Sequence, residues 1–152
     1  MHILFKTILS GAALLGLAGP ANAVDKATAE DAVALVKKAI AYQKENGTEK
    51  MLAEVSNPKG LFVRKDTYVV VHDLDVKVLA HGVNPRLIGV NSLEMKDVEG
   101  KPFGKLFGQV AKGSGPAWID YKFPNPASKA IEAKSAYVEK SGDMIFSAGV
   151  YK

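Results

Sequence analysis

Lys134 is the side chain in this sequence with the clearest potential for chemistry, because it lies inside an apolar strand pattern. In "AIEAKSAYVEK" it alternates with Ala136 and Val138, which predicts a buried direction for all three. A buried ammonium needs an anionic partner, either a carboxylate side chain or a ligand. The alternative, which the residue types alone favour, is a strand-end lysine that snorkels to water or pairs with Asp120 or Asp73.

Aromatic residues with polar tips form a second group. Tyr121 shares one side of "AWIDYKF" with Ile119 and Phe123, so its ring is expected in the core, and Trp118 lies on the other side. The same question arises for three further tyrosines: Tyr68, Tyr137 and Tyr151. Their hydroxyls either reach backbone and water, or converge on an apolar cavity as in a small-ligand site.

His81 stands at the end of an apolar run in "VLAHGVNPRLIG", just before a turn that also carries Arg86. A catalytic or metal-binding role is poorly supported. The only other histidine beyond the N-terminal leader is His72, and the chain has no cysteine. An exposed surface position is the simplest interpretation of Arg86.

Motifs for other chemistry are absent from the sequence. There is no G-x-S-x-G and no Ser/His/Asp set with a family spacing. The "GSG" at 113–115 lacks the strand and helix that flank a phosphate-binding loop. The acidic turn at 97–100 lacks the ligand ladder of a calcium loop. We therefore expect no enzyme activity, no metal and no cofactor.

The N-terminus predicts export. Residues 1–23 combine an early lysine, an apolar stretch and a terminal Ala-Asn-Ala, which is typical of a signal peptide cleaved after Ala23. The apolar stretch is short for a membrane span, which needs about 20 residues. The remaining residues, 24–152, suit one domain in the periplasm. The formal charge of +4 comes from scattered lysines without a basic stripe, which argues against a nucleic-acid partner.

Hydrophobic periodicity predicts the elements that must position these side chains. Helical spacing covers 26–46, ended by Asn46-Gly47, then a short helix from Thr48, and a third helix from Lys101 to Gly113. Residues rich in β-branched and aromatic types predict five strands, at 67–73, 77–81, 117–123, 130–140 and 143–151. The long connection at 82–100 is of the kind that carries function. This order predicts an α+β domain: a PAS-like five-stranded antiparallel sheet with a long N-terminal helix and a crossover helix.

Several motifs in order resemble the single Cache domain family, type 2, over roughly residues 28–152. They are "GLFVRKDTYVVVHD", "VLAHGVNPRLIGVN", "DVEGKPF", "GPAWIDYKFPNP", "KSAYVEK" and "SAGVYK". The resemblance implies an extracytoplasmic sensor that binds a small organic acid of the acetate, propionate, lactate or pyruvate class. The chain departs from the family pattern at Val76, where glycine is common, and at Val90, where a basic residue is frequent.

The resemblance places Lys134, Tyr121, His81 and Tyr68 around one cavity. The ammonium and the phenols would hold a carboxylate by charge-assisted hydrogen bonds. It implies an apolar wall formed by three further residues: Trp118, Tyr137 and Val70. A homodimer or a membrane signalling protein is a further expected partner.

Two other functions remain open at this point. One is a structural or interaction domain of the same fold that binds no metabolite and pairs through the helix at 26–46. The other is a hydrolase or lyase whose turnover depends on His81.

Overall fold

The computed structural model describes residues 25–152, so the predicted signal peptide lies outside the described part. Within these residues three α-helices, six β-strands and one short 3-10 helix follow one another along the chain. The helices are α1 (Ala29–Asn46), α2 (Thr48–Val55) and α3 (Phe103–Ala111), and the 3-10 helix is Pro85–Leu87. The strands are β1 (Val63–Arg64), β2 (Thr67–Asp73), β3 (Val78–His81), β4 (Ala117–Pro124), β5 (Ile131–Ser141) and β6 (Met144–Tyr151). No helix of residues 25–152 is long and apolar enough to cross a membrane.

The sheet is antiparallel, and its order β1-β2-β6-β5-β4 is completed by β3, which pairs with β2. The predicted α+β, PAS-like architecture is confirmed. The prediction of five strands missed one, because β1 is only two residues long and carries no periodicity. It pairs with the first two residues of β2, where Val63 faces Tyr68.

A capping box at the start of helix α1 and a glycine at its end define the limits of the helix. Thr28 and Asp31 form a capping box, in which each side chain accepts the other residue's backbone N–H. The chain leaves the helix at Gly47, whose φ of 87° favours glycine. One side of α1 is buried, including Ala32, Val36 and Ala39, and it packs on the sheet.

Strand alternation divides the sheet into two faces. The face that packs against α1 and α2, here called the helix face, includes Val69, Val71 and Phe146 and is apolar. The opposite face carries Tyr68, Val70 and the other residues in the same register. We call it the cavity face, and α3 and the chain between β3 and α3 cover it.

Val76 lies in the turn between β2 and β3, at a position where glycine is common in the family. Its φ is 62°, a left-handed conformation that disfavours a β-branched residue. The side chain is nevertheless fully buried in the apolar cluster with Phe107 and Val110 of α3. Burial of the valine therefore offsets the backbone strain at this turn, and the hairpin retains its pairing.

The cover over the cavity face is fixed by local hydrogen bonds. Asn84 caps the 3-10 helix through the N–H of Arg86, and Arg86 itself is exposed. Asp97 accepts backbone N–H groups from Glu99, Lys101 and Lys122. These bonds lower the pKa of Asp97, and they tie the loop to β4.

Candidate functional site

Lys134 lies on the cavity face of β5 and is only 4% exposed. Its aliphatic stem crosses β6 above Gly149, where any Cβ would clash with Cε of the lysine. Glycine at this position therefore leaves the room that the stem occupies. The neighbouring strands pair Lys134 with Tyr121 on one side and Tyr151 on the other.

Phenols surround the ammonium of Lys134. Nζ donates to the Tyr68 hydroxyl at 3.0 Å, and that oxygen lies 3.1 Å from the Tyr151 hydroxyl. Tyr151 in turn donates to the backbone carbonyl of Pro124 at 2.8 Å. Nζ also lies 4.5 Å from the centroid of the Tyr68 ring and 5.3 Å from that of Phe123. Ring faces and a phenol oxygen thus partly replace water around the charge.

The surroundings of Lys134 act on its pKa in opposite directions. Burial lowers the pKa of Lys134, whereas the electrostatic interactions with Tyr121, Tyr68 and Tyr151 and the hydrogen bond to Tyr68 raise it, and the net direction is upward. Burial raises the pKa of Tyr121 and, together with its neighbours, that of Tyr151, so both phenols are neutral. The site therefore presents a positive charge and neutral hydroxyls, which is the donor set that suits a carboxylate.

The alternative expectation for Lys134 is wrong. The side chain does not snorkel to water, and no salt bridge in the described part of the chain involves it. Asp120 lies 3.5 Å from Lys152 instead, on the other side of β4. Asp73 accepts the backbone N–H groups of Asp75 and Lys77 in the β2–β3 turn.

His81 is held in a defined tautomer. Its Nδ1 accepts the backbone N–H of Asn84 at 3.0 Å and of Val83 at 3.2 Å. Burial, with Lys134 nearby, lowers the pKa of His81 to about 3, so the ring is neutral. The single proton must then be on Nε2, which is left as a hydrogen-bond donor. The ring lies 5.0 Å from that of Tyr68.

A cavity of about 40 Å³ lies between these groups. The volume is well below the 300–1,000 Å³ of sites for drug-sized ligands, and a single water needs at least about 10–15 Å³. The cavity is therefore sized for two or three small groups. A wider groove of about 470 Å³ shares Tyr68, His81, Leu87 and Phe123 with it and continues outward past Pro124.

The structure brings four of the six predicted site residues together at the cavity: Lys134, Tyr121, His81 and Tyr68. Val70, predicted as wall, lines it too. Trp118 and Tyr137 do not line it, because they project from the helix face of β4 and β5. The Tyr137 hydroxyl donates to Glu139 at 2.6 Å, and Trp118 is 43% exposed.

The cavity residues that sequence reasoning missed include three of particular interest: His72, Ser147 and Gly149. His72 alternates with Tyr68 and Val70 in "TYVVVHD", so strand periodicity could have placed it on the same face. Gly149 gives no sequence signal beyond its place in "SAGVYK". No group of three or more potential ligands that could hold a metal ion occurs in residues 25–152.

A sheet packed by a long helix on one face, with a small covered cavity on the other, defines the PAS-like class of sensor domains. Within that class, the model of the single Cache domain 2 family matches residues 21–151. The chain belongs to this family and is a Cache sensor domain. No match was found among curated proteins.

The fold is also found in solved structures, among them the following three. A periplasmic sensor domain of a chemotaxis protein aligns with a TM-score of 0.62 at 23% identity, over 80% of this chain and 88% of that one. A Cache chemosensory domain, described for its recognition of carboxylic acid, aligns with 0.62 at 22% identity, over 80% and 86%. A methyl-accepting chemotaxis protein from Vibrio parahaemolyticus RIMD 2210633 aligns with 0.64 at 21% identity, also over 80% and 86%.

Proposed function

We propose that this protein is a periplasmic binding and sensing module for a short carboxylate. The observation that carries the proposal is a buried Lys134 without a carboxylate partner among the described residues, beside a small cavity. A buried charge is costly unless it is paired. A ligand carboxylate would supply the missing anion, and the protein would recognise it without any reaction.

Four side chains would bind the carboxylate of the ligand. The Lys134 ammonium would provide charge, and the hydroxyls of Tyr68 and Tyr121 would donate to the carboxylate oxygens. His81 would donate from Nε2, because Nδ1 is already occupied by backbone N–H groups. Binding would require the Tyr68 hydroxyl to turn from Tyr151 toward the ligand.

The cavity is small and its wall includes apolar residues such as Val70 and Ala136, which favours the smallest organic acids. This matches the acetate, propionate, lactate or pyruvate class expected from the sequence. The Cache chemosensory domain described for carboxylic acid recognition shares the fold and adds support for this class of ligand. Export across the inner membrane, with cleavage after Ala23, belongs to the same proposal.

A thermal-shift comparison tests the proposal. Acetate, propionate, lactate and pyruvate are added to the purified protein at constant pH and ionic strength, with chloride as reference. A ligand that binds only the folded state stabilises it by about 2.7 kcal/mol at one hundred times its dissociation constant. We expect at least one acid to raise the melting temperature.

Lys134→Met should remove that shift, because it keeps the length of the stem and deletes the charge. Lys140→Met is the matched control, since Lys140 lies on the same strand and is exposed. It should retain the shift. The proposal fails if none of the four acids stabilises the protein, or if Lys134→Met responds as the unmodified chain does.

A further inference from the structure

His72 is a further polar side chain at the cavity, outside the Lys134 cluster. It lies on the cavity face of β2, four residues after Tyr68, with Val70 between them on that face. The imidazole lines the same cavity as Lys134 and is 4% exposed. The cavity therefore has a polar lining group besides those of the Lys134 cluster.

The hydrogen-bonding capacity of His72 is unused. Its Nδ1 is buried and has no partner, and none of the hydrogen bonds found within residues 25–152 ends on the ring. The ring packs against that of Phe107 in a T-shaped arrangement, with 5.6 Å between the ring centroids. Burial lowers the pKa of His72 to about 4, so the ring is neutral and offers one donor and one acceptor.

An unpaired buried imidazole is destabilising, and an apolar residue would suit this position better if the ligand were a plain alkyl acid. The Ser147 hydroxyl, also at the cavity, makes only a long contact of 3.4 Å with the carbonyl of Val70. Two weakly satisfied polar side chains thus face the part of the cavity where the carbon chain of an acid would extend.

We propose that His72 hydrogen-bonds a hydroxyl oxygen of the ligand, so that the cavity selects short hydroxy acids over unsubstituted acids of equal length. This inference rests on the proposed function, because it assumes that the carboxylate lies at Lys134. A hydroxyl both donates and accepts, and it can therefore pair with either neutral tautomer of His72. A methyl group at the same place leaves the imidazole unpaired.

Calorimetric titration with matched acids tests the inference. Glycolate is compared with acetate, and lactate and 3-hydroxypropionate are compared with propionate, so that chain length is constant and the hydroxyl position varies. In the unmodified protein at least one hydroxy acid should bind about tenfold more tightly than its unsubstituted partner. His72→Phe should bring this ratio close to one while it retains binding of the unsubstituted acid.

Val78→Ala is the control, because Val78 also lines the cavity and carries no polar group. It should keep the preference for the hydroxy acid. Equal affinities within every pair in the unmodified protein, or a preference that survives in His72→Phe, would overturn the inference and leave the carboxylate site intact. Failure of all five acids and of pyruvate to bind would overturn the proposed function itself, and this inference with it.

A measurement on the unmodified chain covers the case in which His72→Phe does not fold. The ¹⁵N shifts of the imidazole report whether each ring nitrogen gains a hydrogen bond. Addition of the tighter hydroxy acid should shift a ring nitrogen of His72, and the unsubstituted acid should shift it much less. Identical shifts with both acids would contradict the inference.

Discussion

The two faces of the sheet bury different types of side chain. On the helix face, Val69, Val71 and Phe146 are fully buried in a continuous apolar cluster with α1 and α2. On the cavity face β2 buries His72 and β5 buries Lys134, two side chains that folding alone would exclude. Adjacent residues of one strand therefore lie in different environments: one is apolar, and the other contains buried polar side chains.

The difference indicates where stability and recognition are located. Apolar burial on the helix face supplies free energy of folding, about 25 cal/mol per Å² removed from water. The cavity face keeps buried polar groups and empty volume, both of which lower stability. The helix face thus stabilises a domain whose other face is shaped for a ligand. Three measurements test this contrast.

The largest expected effect is a loss of stability in mild acid that originates on the cavity face. His72 and His81 have pKa values of about 4 and about 3 in the folded protein, below the value of about 6.5 for an exposed histidine. The unfolded chain therefore binds more protons, and stability present above pH 6.5 is lost as pH falls toward the folded values. By pH 5 the free energy of unfolding should drop by about 2 kcal/mol per histidine.

Urea denaturation at pH 7, 6 and 5 measures this loss. The carboxylates with lowered pKa, among them Asp97 and Glu139, titrate at lower pH and add little in this window. Replacement of His72 by Phe should remove about half of the pH dependence. A pH dependence that is the same in that variant would mean that the imidazole is not held neutral.

The second largest effect on stability is expected for two adjacent valines, one on each face of the sheet. Val71→Ala on the helix face should lower the free energy of unfolding by about 2 kcal/mol or more, because two buried carbons are lost and a void remains. Val70→Ala should cost clearly less, since Val70 already borders the cavity. Equal losses in urea denaturation would show that the two faces are packed alike.

The smallest expected effect concerns the crossing of Lys134 over Gly149. Gly149→Ala should destabilise the protein by about 1–3 kcal/mol and weaken acid binding, because the added methyl displaces the lysine stem. The stem is absent in Lys134→Ala, so the same glycine change should cost much less in that background. A double-mutant cycle with a coupling energy near zero would refute the proposed contact.

Much of this architecture could be predicted from local patterns. The periodicity of "TYVVVHD" and "DMIFSAGVY" and the turn at Asn46-Gly47 gave strand and helix limits that agree with the structure within a few residues. These signals are local, since a side chain's face follows from its position within its own element. The two-residue β1 was missed because it depends wholly on its partner strand.

The site was predicted less completely. Lys134 and Tyr121 were placed correctly, because strand alternation and the family resemblance agree on their direction. Trp118 and Tyr137 were placed in the cavity against their own alternation, and the structure puts them on the helix face. His72 was passed over because it was considered only as a metal ligand, although it shares the periodicity of Tyr68.

The elements, the faces of the strands and the family of the chain follow from the order of the residues. Two features of the site follow only from packing between strands: Lys134 has no carboxylate partner among the described residues, and Gly149 makes room for its stem. Pairing of β5 with β4 and β6 brings together residues from distant parts of the chain. Partners and empty space depend on such long-range packing, which no local pattern encodes.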